Sequence, residues 1–423
     1  MHSGDTGRGQ TRPSGVVVVP PEEFRPLWTP AERGMVSAVD HDQQRPRLDL
    51  DELHRTWASY GHEMLLHDPG GEAECLVRRG ELLAPADSLD TVLVRCHRWV
   101  DRVHHDEDLL LARIRLREAE RDHCVELAWE TPGVSVNNVH LGSPVMFGAP
   151  VMWGTGGEPE CTPPLPEPPA AHWDPPVVVG VLDTGCDPHP WFADRPGFVA
   201  VPEELDADDD SGQDRQAGHG TFVSGVVLQH APGVVLRPQR VLSSLGFTDD
   251  RAVAAGLRAL RRSAQERGEQ VDVVVLTSGC HTADDRCPEL LAAELSAMAP
   301  AVVVAAAGNH GHSRPFWPAA APEVLGVAAT GSDGKITGFS GTGDWVGAAA
   351  PGVDVRSCFV RLAPGGGRRF GYASWSGTSF AAPRVAAAIA TVLQLDRDPE
   401  RARELVEHCY PYASAVPAPV PAE

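Results

Sequence analysis

Apolar runs at Val177–Leu182, Val271–Leu276 and Ala301–Ala307 organise the second half of the chain. Runs of six or seven residues that do not alternate with polar ones predict strands covered on both faces. The long amphipathic stretches between them, Asp249–Glu266 and Glu289–Met298, predict helical crossovers. This is the signature of an α/β unit with a mainly parallel sheet flanked by helices. The pattern before it is different. Glu74–Leu83 and Leu109–Leu116 alternate as half-buried strands, Ser88–Val103 and Asp122–Trp129 read as helices, and Val134–Leu141 reads as a strand opened by Pro132-Gly133. These predict a small α+β domain over 71–143. It follows a polar, Pro-interrupted segment, 1–70, with one helical stretch over Leu48–Met64. A Pro/Gly-rich linker is expected over 144–176, the main domain over 177–410, and a Pro/Ala-rich tail over 411–423.

Composition narrows the classes of function. The 423 residues are 42% hydrophobic and 22% charged, as in a globular protein. Thirty-six basic residues against 58 acidic ones give a net charge of −22, which argues against an electrostatic partner such as nucleic acid or an anionic membrane. Lys335 is the sole lysine. The opening Met1–Gln10 is polar and Val16–Val19 is too short for a signal-peptide core, so a cytoplasmic protein is expected. No run of ~18 apolar residues stands out as a membrane span. The nine cysteines form no Cys-x-x-Cys pair, and free thiols are expected, with Cys280 and Cys287 the one pair near in sequence.

Each apolar run ends in residues with chemistry to offer, where the active groups of parallel sheets gather. The first ends in Asp183-Thr184-Gly185, the second in Thr277-Ser278-Gly279, the third in Gly308-Asn309. Elsewhere, Gly218-His219-Gly220-Thr221 places an imidazole between two glycines at a helix start. Ser376-Gly377-Thr378-Ser379 enters an Ala-rich helix whose Pro383 is expected in the first turn. Taken singly, Asp183 reads as a turn cap, His219 as a structural histidine and Ser379 as an N-cap. Taken together, they supply a hydroxyl, a base to deprotonate it and a carboxylate to fix the base's tautomer.

In that order, with those flanking residues, the chain over about 177–395 resembles the subtilisin-like serine proteases. The resemblance implies Asp183, His219 and Ser379 as catalytic residues and Asn309 as the oxyanion donor. It implies substrate contacts along Thr277, Ser278 and Gly279 on one wall of the specificity pocket and Ala306, Ala307 and Gly308 on the other. Phe339-Ser340 and Ala349-Ala350-Pro351-Gly352 fit the same pattern. Phe222, Phe380, Arg384 and Ala387 depart from it, and none is a proton-transfer group. The family often carries a small α+β inhibitor domain ahead of the catalytic one, so residues 74–143 are expected to act as an intramolecular inhibitor, with a regulatory or partner-binding domain as the alternative.

The expected function is therefore a serine endopeptidase acting on polypeptides. A catalytically silent peptide-binding or scaffolding module of the same fold is the alternative. No cofactor or metal is expected. Many relatives bind calcium, but the acidic run Glu203–Asp210 lacks the alternation and turn glycine of a calcium loop and reads as a solvated surface loop. His62 and His67 are five apart, not the four of a zinc-protease helix.

Overall fold

A computed structural model describes residues 63–142 and 159–415, apart from 196, 208 and 210. The expectations for 1–62, for 144–158 of the linker and for 416–423 of the tail lie outside the described residues, including nearly all of the Leu48–Met64 helix. Its last residue, Met64, opens a strand, β1 (Met64–His67).

The N-terminal elements are β2 (Cys75–Pro85), α1 (Leu89–Cys96), β3 (Val100–Asp106), β4 (Leu111–Leu116), α2 (Cys124–Glu130) and β5 (Ser135–Gly142). The predicted helix over 88–103 is thus divided. It ends at Cys96, passes through a 3₁₀ turn and continues as β3, whose residues are half-buried or exposed. Val100 and Val103 are spaced as on a helix, but backbone pairing with β4 keeps them extended.

After β6 (Glu160–Cys161), the main unit contains β7 (Val178–Asp183), α3 (His219–His230), β8 (Val235–Arg240), β9 (Phe247–Asp249), α4 (Asp250–Glu266), β10 (Val273–Leu276), β11 (Ser278–Gly279), α5 (Glu289–Ser296) and β12 (Val302–Ala306). It continues with β13 (Val324–Thr330), β14 (Val346–Pro351), β15 (Val355–Leu362), β16 (Arg368–Trp375), α6 (Thr378–Leu395) and α7 (Pro399–Cys409). Six strands form one parallel sheet in the order β14-β13-β12-β10-β7-β8. Alternate residues of its strands enter two separate cores. Val179, Val181, Val273, Val275, Val302 and Val304 pack toward α3 and α6, while Leu182, Val274, Leu276, Val303 and Ala305 pack toward α4 and α5. Covering both faces is what makes these strands continuous apolar runs in sequence.

Helix α6 is apolar and long enough to cross a bilayer by length and composition, yet it is a buried core helix. Pro383 is its sixth residue, beyond the first turn where it was expected. Its missing N–H leaves the Ser379 carbonyl without the usual helical donor.

A second sheet, in the order β11-β5-β2-β4-β3, joins the N-terminal elements to the main unit, with β1 on β2 and β9 on β5. The nine cysteines are free, Cys280 and Cys287 included. Cys409 is exposed, Cys161 and Cys287 are half-buried, and the other six are buried. Thiol reactivity follows exposure and thiolate content. An aromatic disulfide reagent should therefore titrate Cys409 rapidly in the native chain and nine thiols after denaturation; seven after denaturation would mean that a pair has oxidised.

Candidate active site

The first component is a buried carboxylate. Asp183 ends β7 with no solvent exposure. His219 Nδ1 lies 2.8 Å from Asp183 Oδ1 and 2.9 Å from Oδ2. Thr277 Oγ1 donates to Oδ2 at 2.6 Å, and the Thr184 N–H donates to Oδ1 at 2.7 Å. Burial alone would push this carboxyl up, but His219 and the two threonine donors together hold it below the ordinary carboxylate range. A carboxylate accepts only, so Nδ1 carries the proton and Nε2 presents a lone pair. Nε2 is buried and has no hydrogen-bond partner among the described residues.

Local sequence sets this approach. His219 is the first residue of α3, after Gly218 at φ +88°. A Cβ at Gly220 would lie 2.0 Å from the Gly185 carbonyl oxygen, so only glycine lets the two loops touch. Trp375 and Phe380 rings lie 5.3 Å from the imidazole, and the Phe222 ring packs tilted against Phe380 at 4.7 Å. Two of the departures from the family pattern, Phe222 and Phe380, therefore line an apolar wall beside the Asp183–His219 pair.

Ser379 is the second residue of α6, and its Oγ donates to the Thr277 carbonyl at 3.4 Å. That places the hydroxyl at the end of β10, beside the threonine that holds Asp183. The Asn309 carbonyl oxygen accepts from the Thr378 N–H at 3.0 Å and the Thr378 hydroxyl at 2.9 Å. This fixes the amide flip, and Nδ2 is left buried without a partner, near Gly377. The helix N-terminus and a fixed amide donor are the components of an oxyanion site.

Ser278 and Gly279 form β11, which pairs antiparallel with β5: Ser278 opposite Gly142, Gly279 opposite Leu141. On its other edge β5 pairs with β9, Leu141 opposite Phe247 and Val139 opposite Asp249. Ala306 ends β12, and Ala307 and Gly308 lead on to Asn309. The Phe316 ring closes the space between the two walls. Cβ atoms built on Gly279 and Gly308 would lie 2.4 Å and 3.0 Å from it.

Sequence reasoning placed Glu203 in a solvated acidic loop; the structure buries it. Glu203 accepts from the Gly218 N–H at 2.8 Å, the Thr221 N–H at 2.8 Å, and the hydroxyls of Thr184 and Thr221. It thereby ties the start of α3 to the turn after Asp183. The apolar Val199–Val201 segment before it was the available signal. Burial first, then the neighbouring Asp187 carboxylate, push its carboxyl up to about 7. Among the described residues, His140, Asp250 and Cys280 bring one potential metal-ligand atom each within 4.8 Å of one another. His140 Nε2 hydrogen-bonds Asp250 at 2.7 Å and lies 3.5 Å from Cys280 Sγ, and burial pushes the Cys280 thiol up.

The raised Glu203 pKa has a defined linkage sign. Between pH 4.5 and about 7 the folded chain keeps a proton that the unfolded chain has lost, so stability falls as pH rises through that window. The expected fall is on the order of 3 kcal/mol. Denaturant midpoints measured from pH 4.5 to 8 on the Ser379→Ala chain should show it, and Glu203→Gln should remove it. Parallel profiles for the two chains would contradict this.

The chain is similar to known proteins over its second half. The sequence pattern of the subtilase family matches residues 174–409. Subtilisin Savinase of Lederbergia lenta is 35% identical over 228 residues, which is 52% of this chain and 76% of that protein. An intracellular serine protease of Paenibacillus polymyxa is 30% identical over 262 residues, covering 56% of this chain and 76% of the relative. Among solved structures, fervidolysin from Fervidobacterium pennivorans, a keratinolytic enzyme related to subtilisin, superposes with a TM-score of 0.53 at 20% identity, over 81% of this chain and 58% of that one. On its sequence and its fold, the chain belongs to the subtilase family of serine proteases.

Proposed function

We propose that the chain is an endopeptidase that cleaves peptide bonds through an acyl-enzyme on Ser379. The reading rests on one observation above the others: Asp183 holds His219 by Nδ1, which leaves an unpartnered Nε2 lone pair in a buried site. As Ser379 Oγ bonds to the substrate carbonyl carbon, its proton passes to Nε2. The carbonyl oxygen becomes an anion, received by Asn309 Nδ2 and the Ser379 N–H. The carbon–nitrogen bond then breaks as the imidazolium returns the proton to the leaving amine. Water repeats the sequence in the second half, releasing the acid and restoring Ser379. Asp183 stays ionised throughout and stabilises the imidazolium.

Strand β5 occupies the groove between β9 and β11, and the resemblance gives β11 the role of pairing with substrate backbone. The N-terminal sheet therefore acts as an intramolecular inhibitor that fills the groove with its own strand. The Phe316 ring limits the pocket, so the residue whose carbonyl is attacked is small: Gly, Ala or Ser.

A panel of peptide amides differing at that residue tests both statements. The chain freed of its inhibitory strand by Leu141→Pro should turn over Ala and Ser amides in preference to Phe amides by about 10-fold or more, and adding Ser379→Ala should reduce turnover to a residual rate. Phe316→Ala should invert the preference. Undiminished cleavage by the Ser379→Ala variant would overturn the mechanism, and an unchanged preference in Phe316→Ala would overturn the pocket.

A further inference from the structure

Asp250 has a place in the fold that neither the reaction nor helix capping accounts for. It is the first residue of α4, and the cap itself is Asp249, whose side chain accepts from the Ala252 N–H at 2.9 Å. The Asp250 carboxylate turns away from its helix into the groove, with no solvent exposure. Its hydrogen-bond partners all lie on β5. Oδ2 accepts from the Asn138 N–H at 2.8 Å and from Asn138 Nδ2 at 2.7 Å, and Oδ1 takes His140 Nε2 at 2.7 Å. Cys280, directly after β11, closes the other side, its Sγ 3.5 Å from His140 Nε2.

The strand's own alternation supports this division. Asn138 and His140 share the face toward Asp250, while Val139 and Leu141 pack with Phe247, Met64 and Leu66 on the other. Main-chain pairing with β9 and β11 and the apolar packing of Val139 and Leu141 hold the strand in place. Asp250 reads the side chain. When β5 leaves the groove, a carboxylate built into its wall loses every donor named above. Any strand that replaces β5 must present a donor there or leave a desolvated charge unpaired.

We propose that Asp250 is a specificity-determining residue of the protease. It selects substrates carrying a hydrogen-bond donor, such as histidine or asparagine, at the position His140 occupies, and it rejects acidic side chains there. This rests on the reading of β5 as a strand in the substrate groove. His140 Nδ1 is buried without a partner, so the subsite asks for a single donor and no more of the imidazole. The N-terminal strand is then a template of the preferred substrate, with donors at alternate positions.

The test uses the full chain with β5 released by Leu141→Pro, which removes an N–H from the residue paired with both Gly279 and Phe247. Gly142→Pro, which removes the N–H donated to Gly246, is the second release variant should the first not fold. The probes are coumarin amides of the Asn137–Ser143 sequence with His, Leu or Glu at the His140 position. The His peptide should exceed Leu in kcat/KM by about 10-fold and Glu by roughly 100-fold. Adding Asp250→Asn should bring the His-to-Glu ratio below about 10. A ratio near one in the released chain, or one that Asp250→Asn leaves unchanged, overturns the subsite. A released chain no more active than wild type overturns the inhibitor reading instead, and the three peptides compared on wild type still decide the role of Asp250.

Discussion

A charged carboxylate with no access to water is costly unless it is paired and fully hydrogen-bonded, and Asp183 is such a group. Meeting that requirement arranges the rest of the centre. His219 must arrive from the start of α3 and Thr277 from just past β10, while Thr184 donates from the turn that directly follows, so two distant segments and the adjoining turn are fixed on one side chain. Glu203 repeats the device one layer further out, drawing Gly218, Thr221 and Thr184 together. Glycines at 185 and 220 allow the backbones to close on these buried anions. The tautomer of His219, and with it the direction of its lone pair, follows from the Asp183 contact.

The parallel sheet supplies rigid ends for this arrangement, and the N-terminal sheet completes the groove beside it. Strand β5 gives one edge to β9 and the other to β11, so the backbone groups of both walls are satisfied from within the chain. Polar contacts add to the pairing. Arg78 meets Asp249 at 2.9 Å, Arg251 meets Asp106 at 3.0 Å, and Asp250 takes Asn138 and His140. The acidic start of α4 thus serves as the docking point for the N-terminal unit.

Much of this was legible in the sequence for physical reasons. β7, β10 and β12 are covered on both faces, which leaves unbroken apolar runs, and the three motifs carry their own local geometry. What escaped depended on contacts distant in sequence. β3 is mostly exposed and offers only two valines at helical spacing, so its extended form comes from pairing with β4. Glu203 opens an acidic run and is buried by partners 15 to 19 residues away. Pro383 lies one turn deeper than a first-turn rule allows, because α6 begins at Thr378. The insertion of β5 between β9 and β11 joins residues more than a hundred positions apart, a register that no local pattern encodes.

If Asp183, His219 and Ser379 act as one unit, a double-mutant cycle in kcat/KM on a peptide amide will show it. Once the nucleophile is gone the base has no proton to accept, so Ser379→Ala, His219→Ala and the double variant should share one residual rate. Losses that add, or cleavage that survives both single substitutions, would contradict it.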